Sequence, residues 1–176
     1  MALNIPAAVT TLTTITKTWS DAIRESLLWL ATDAPTCRVF HSANQSCTNG
    51  TLTTLLFDSE RYDPAGCHST TTNTERITVP TGAGGKWAFG ATVSFAANAT
   101  GQRQVRILLN GSTVLAEDIR DAAAGGEVTS ITVSGQYALS AGDYLTVVAR
   151  QTSGGALNVS AASAYSPEFW AEWRRT

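Results

Sequence analysis

The chain is short of charge. Asp, Glu, Lys and Arg make up 15% of its 176 residues, against roughly 25% in an ordinary soluble domain. So few charges point to a surface that is partly covered by partners. Lysine is almost missing, Lys17 and Lys86 being the two examples. The basic residues are scattered and the net charge is −2. A nucleic-acid binder needs a basic stripe, so no nucleic-acid partner is expected. No apolar run reaches the roughly 20 residues that span a bilayer, so no membrane insertion is expected. The first residues, "MALNIPAAVTTLTTITKTW", lack a basic stretch and a compact apolar stretch and do not read as a signal peptide. Cysteine is sparse too. Cys37, Cys47 and Cys67 are an odd number, and with no export signal free thiols are expected; spacing gives a Cys47–Cys67 pair no support. Rossmann, P-loop and G-x-S-x-G patterns are all missing.

What is present falls into two parts. Residues 1–35 read as an extended Thr-rich arm followed by one helix. "TWSDAIRESLLWLATDAP" has Thr18 or Ser20 as a cap, Asp21 in the first turn and a stop at Asp33-Ala34-Pro35. Trp19, Ile23, Leu27 and Leu30 recur at helical spacing, and Leu28 and Trp29 widen the stripe, so the helix is expected to be covered on more than one side. From residue 36 to 176 the period drops to 2. "TLTTLLFD" and "ERITVP" are short β-rich runs. In "GKWAFGATVSF", Trp87, Phe89, Ala91, Val93 and Phe95 share one face; Ala88, Gly90, Thr92 and Ser94 share the other. "QVRILLNGSTVLAEDI" is two strands joined by Asn110-Gly111, the strongest short hairpin signal. "EVTSITVSGQYAL", "GDYLTVVARQ", "ALNVSAASAY" and "EFWAEW" complete the set. The reading is all-β: a two-sheet antiparallel sandwich or jelly roll with an N-terminal arm and helix.

Chemistry-bearing groups are few. Asp143 follows Gly142 at the start of a strand, where Asp is common because it bonds nearby backbone N–H groups; a turn role is expected. Asp58, Glu60, Asp63 and His68 gather in "FDSERYDPAGCHS", but without EF-hand spacing and beside Arg61; a solvated or ion-paired loop is expected rather than a Ca²⁺ site. Cys37, His41, Cys47, Cys67 and His68 lack zinc-ligand spacing, so no metal or other cofactor is expected. Neither a Ser-His-Asp order nor a carboxylate pair stands out, so no enzyme activity is expected. Asn44, Asn49, Asn98, Asn110 and Asn158 all stand in N-x-S/T sequons, an excess with no functional account at this level.

The order of motifs carries a resemblance. "FDSERYD" is followed by a Gly-x-His, then by "ITVP", an aromatic strand (Trp87, Phe89), an "NG" hairpin, the Leu-x-x-Gly-Asp-x-Leu segment from Leu139 to Leu145, and a closing strand from Ser166 to Trp170. Over residues 19–176 this resembles the jelly roll of complement globular heads and tumour-necrosis-factor-like domains. It is most similar to versions in structural proteins of tailed bacteriophages, which share a short helical leader. "GAGGKW" departs from the family's simple Gly-x-Tyr and leaves that loop open. The resemblance implies a homotrimer packed through the outer face of one sheet, with Trp87, Phe89, Tyr144 and Val148 at the interface. It implies Trp19, Ile23, Leu27, Leu28 and Trp29 as an anchor to a larger virion protein or a collar of the trimer, a lid on the chain's own jelly roll being the alternative for the helix. The protein would then sit on the virion surface as a decoration or fibre-like component, or as a knob that recognises a host receptor.

Overall fold

A computed structural model describes residues 16–28, 34–162 and 166–175. The helix, α1, runs Lys17–Leu28. Its cap is not Thr18 or Ser20 but Thr16, whose Oγ1 accepts the Trp19 N–H at 3.2 Å. Asp21 therefore lies a turn further in, where it pairs with Lys17 at 2.5 Å, the helical i, i+4 spacing. None of the residues of α1 is buried.

Twelve strands follow among the described residues: β1 (Thr36–Phe40), β2 (Gln45–Cys47), β3 (Thr53–Thr54), β4 (Ser59–Tyr62), β5 (Arg76–Thr78), β6 (Gly85–Phe95), β7 (Gln102–Leu109), β8 (Thr113–Asp121), β9 (Thr129–Leu139), β10 (Tyr144–Gln151), β11 (Leu157–Val159) and β12 (Glu168–Arg175). They make two antiparallel sheets. The first has the order β2-β11-β6-β12-β1-β4, with β9 on the other side of β6; the second is β3-β10-β7-β8, with β5 on β10. Apart from the β7–β8 hairpin, the paired strands are non-consecutive, which marks a jelly roll rather than a meander. The Asn110-Gly111 hairpin forms between β7 and β8 as read, both residues taking positive φ, 50° and 71°, the combination this turn requires.

The core lies between the sheets. The aromatic face of β6 enters it: Trp87 is 1% exposed and Phe89 is fully buried. Leu145, Val147 and Ala149 of β10 and Ile107 of β7 join them from the second sheet, and Ile131 and Phe169 from the first. Burying Trp87 leaves no orphaned donor, because its Nε1–H reaches the Ala83 carbonyl at 2.9 Å. The run 51–58 departs from the expected strand. Its ladder with β10 covers only Thr53–Thr54, and the Leu55 N–H adds one bond to the Val147 carbonyl at 2.9 Å. Leu55 and Phe57 are nonetheless buried.

Candidate functional site

The two sheets present unlike outer faces. On the first, the outward side chains of β6 from residue 88 onward are Ala88, Gly90, Thr92 and Ser94, facing Gln136, Ser134, Thr132 and Ser130 of β9 in register. No charge stands among these eight. The hydroxyls serve one another: Thr92 to Thr132 at 3.0 Å and Ser94 to Ser130 at 2.7 Å. Trp170 of β12 opposes Gly90, and its indole lies so close that a Cβ on Gly90 would stand 2.8 Å from the ring. Gly90 is thus a glycine for want of space. Beyond Trp170 the same sheet becomes ionic, where Glu168 holds both Arg38 and Arg61.

Two of the four residues expected at a subunit interface are inside the protein instead. Trp87 and Phe89 fill the chain's own core, since alternation along β6 sends its large face inward and its small face out. Tyr144 and Val148 do face outward, but from the second sheet. There Thr146 and Val148 are already buried at 4% and 5% exposure. A shallow hollow of about 360 Å³ lies above them, lined in part by Leu52, Leu108 and Tyr144. The expected four therefore form no single surface. Of the helix residues, Trp19 and Ile23 are half-buried, Leu27 and Leu28 exposed, and Trp29 lies outside the described residues.

The acidic loop is built from separate contacts. Asp58 accepts both the Ser42 N–H and its hydroxyl. Burial pushes the Asp58 carboxyl up, but the Ser42 and Ser59 hydrogen bonds and the nearby His41 together hold it below the usual carboxylate range. Asp63 accepts the N–H groups of Cys67 and His68 at 2.9 and 2.8 Å. Glu60 meets His68 Nδ1 at 3.0 Å. Among the described residues no three His, Cys, Asp or Glu groups converge as metal ligands. Arg61 does neutralise a carboxylate, but it is Glu168 of β12 rather than a neighbour in the loop.

No family model and no curated protein matches the sequence. Solved structures do match the fold. Murine APRIL at pH 8.0 aligns with a TM-score of 0.57 and 13% identity over 78% of this chain and 98% of that one. The globular domain of the zebrafish complement 1qA protein aligns with a TM-score of 0.53 and 15% identity over 81% of this chain and 99% of that one. The fold is a TNF/C1q-like jelly roll.

Several sequence features find their place in this TNF/C1q-like jelly roll. The three cysteines are free and buried, and burial is the main cause that raises each thiol's pKa. They are small core groups, not nucleophiles. Four of the five sequon asparagines lock loops. Asn44, Asn49, Asn98 and Asn110 each accept a backbone N–H through Oδ1, from Ala161, Gly154, Thr100 and Tyr144, at 2.8 to 3.0 Å. That use explains much of the excess without glycosylation.

Asp143 is a turn residue, and it also ties two loops of the TNF/C1q-like jelly roll together. Its Oδ2 accepts the Ser140 N–H at 2.8 Å and its Oδ1 accepts Asn110 Nδ2–H at 2.9 Å. The Asn110 hydrogen bond, then the Ser140 one, holds the carboxyl below its usual range. A depressed folded-state pKa adds stability above the unfolded value and loses it as pH falls through the folded one. Asp143→Asn is accordingly expected to cost about 1 kcal/mol at neutral pH, the turn being partly solvated. The gap between variant and native melting temperatures is expected to narrow as pH falls from about 3.9, the ordinary Asp value, through the lower folded-state one, where the native carboxylate takes up its proton. Thermal melts at pH 7 and pH 3 check both.

Proposed function

We propose that this protein is a non-enzymatic structural component of a tailed-bacteriophage virion: a homotrimeric jelly-roll knob, attached through residues 1–35 to a larger capsid or tail protein. One observation supports the subunit contact, the outer face of β6 and β9, which is uncharged from residue 88 onward. Four of its hydroxyls are paired within the chain, Thr92 with Thr132 and Ser94 with Ser130, so covering the face leaves only Ser134 and Gln136 to find partners across the contact. A closed ring of three covers that face on every subunit, which an isologous pair would also do but an open chain would not. Trp170 adds a large ring to the same face. This replaces Trp87, Phe89, Tyr144 and Val148 as the interface with a surface centred on Trp170, Thr92 and Thr132.

The virion setting is supported by the resemblance to phage proteins and by an amphipathic helix that buries none of its residues in the sandwich. The carboxylates and histidines of the acidic loop are engaged in loop hydrogen bonds, which supports a structural role for them. The test has two readings. The full chain in dilute solution is expected to have the mass of three copies, and removal of residues 1–18 is expected to leave that trimer intact while abolishing binding to particles. A folded single chain overturns the trimer. Unchanged particle binding overturns the anchor. Copy number per virion then separates a decoration protein, with hundreds of copies, from a fibre or receptor-binding knob, with few.

A further inference from the structure

Between β4 and β5 the chain makes a long excursion, residues 63–75, whose tip is built around a cleft of about 260 Å³. We propose that this cleft binds a single acidic sugar residue, with the carboxylate received by Arg76. The site lies within one chain, so it stands or falls independently of the trimer and of the virion surface that carries it.

The cation comes first. The guanidinium of Arg76 is stacked over the Tyr144 ring, 4.8 Å from its centroid, which orders the side chain before any ligand arrives. Other arginines of the sandwich are occupied. Arg38 and Arg61 pair with Glu168, Arg106 with Glu117, Arg120 with Asp118 and Arg174 with Glu172. Arg103 and Arg150 donate to backbone carbonyls. Among the described residues Arg76 has no carboxylate partner and no hydrogen-bond acceptor for its guanidinium. The acids nearby are committed elsewhere: Asp63 to the N–H groups of Cys67 and His68, Glu60 to the His68 ring. Glu75 lines the hollow on the other side of Tyr144 and makes no ion pair with Arg76. An ordered, uncompensated guanidinium presents a fork that matches a carboxylate.

The walls define the rest of the ligand. Ser69, Thr72, Asn73 and Thr78 line the cleft with hydroxyl and amide groups, and Gly66 leaves its edge open. Asn73 is held at φ 52°, a left-handed conformation unusual for a residue other than glycine; such outliers persist where the surrounding structure holds them and gather at ligand sites. Ser69 already accepts the Thr71 and Thr72 N–H groups, but a bare ion would use the guanidinium alone and make no use of the Thr72, Asn73 and Thr78 side chains. At 260 Å³ the cleft lies just under the range of drug-sized sites, about 300–1,000 Å³. One pyranose ring fits that size and that chemistry.

Titration of the full chain with glucuronate, glucose and sodium sulfate, at matched ionic strength, tests the proposal by calorimetry or NMR. Glucuronate is expected to bind saturably and glucose far more weakly. Arg76→Gln is expected to weaken glucuronate roughly 10- to 100-fold, the loss of hydrogen bonds to a charged group, and Arg76→Lys by less, since a point charge replaces the fork. Near-UV circular dichroism confirms that each variant is folded. Asn73→Gly keeps the left-handed backbone without strain and is expected to weaken binding while leaving the melting temperature near native. No saturable binding, equal binding of glucose, or an unchanged affinity in folded Arg76→Gln overturns the site. Sulfate binding as tightly as glucuronate overturns the sugar.

Discussion

Phe89→Ala is expected to destabilise the isolated chain by about 3–5 kcal/mol, the usual cost of removing a buried aromatic ring. The ring is fully buried and lies against Gly135 of β9, so close that a Cβ there would stand 3.0 Å from it. The flanking elements are strands with backbone ladders on both sides of β6, so the cavity has little freedom to collapse. For a chain of this length the loss corresponds to a fall in melting temperature of about 6–20 °C. It is a large fraction of a typical total stability of about 5–15 kcal/mol. Protein concentration separates the core position Phe89 occupies from the subunit interface where it was expected. A core residue lowers the melting temperature by the same amount at every concentration. An interface residue weakens association, so its effect grows on dilution. The first outcome is expected. A variant that melts like the native protein when dilute would put Phe89 back on the surface.

The misplacement of Trp87 and Phe89 shows where sequence reading stops. Alternation along residues 85–95 correctly sorts the side chains into two faces, because that depends only on the local period of a strand. It does not say which face is inward. The contrast between the faces does carry that signal: Trp, Phe, Val and Phe fill volume, while Ala, Gly, Thr and Ser do not, and a core needs volume. The implied trimer placed the large face outward. The fold class, the Asn110-Gly111 hairpin and the turn role of Asp143 were all legible for the same local reason. Strands β1, β2 and β4 were not, being short and held by distant partners, as Arg38 and Arg61 are by Glu168. The hydroxyl pairs of β6 and β9 join residues 36 and 40 positions apart. Trp170 over Gly90 spans twice that distance along the chain. Nor does the sequence show that Arg76 lacks a carboxylate, because Glu75 stands beside it in the chain and turns to another hollow. The candidate cleft and the proposed subunit face are assembled by long-range contacts, and only local patterns can be read from one sequence.

Thr132→Arg is expected to convert the proposed trimer into folded monomers. Thr132 is an exposed, outward residue of β9, opposite Thr92 at the centre of the uncharged face. In a single chain an arginine there points into water, and its long stem can lie along the sheet, so the monomer's melting temperature is expected to move little. In the proposed trimer the same guanidinium would be taken out of water among hydroxyl groups, and the carboxylates nearest it, Glu168 beside Thr92 and Glu117 and Asp118 of β8, are already held by other arginines; the effective penalty for a buried ion without a partner of its own is several kcal/mol. Threefold symmetry repeats that penalty at every interface. The gain it opposes is of similar size, since a few hundred Å² of apolar surface per subunit is worth roughly 25 cal/mol per Å² before association costs are taken off. The balance falls to the monomer. Val114→Arg, at an exposed position on β8 of the other sheet, is the control and is expected to leave the trimer intact. Light scattering across a dilution series reads both. If Thr132→Arg stays trimeric while Val114→Arg dissociates, the contact between subunits belongs to the second sheet and the hydroxyl face of the first is open to solvent.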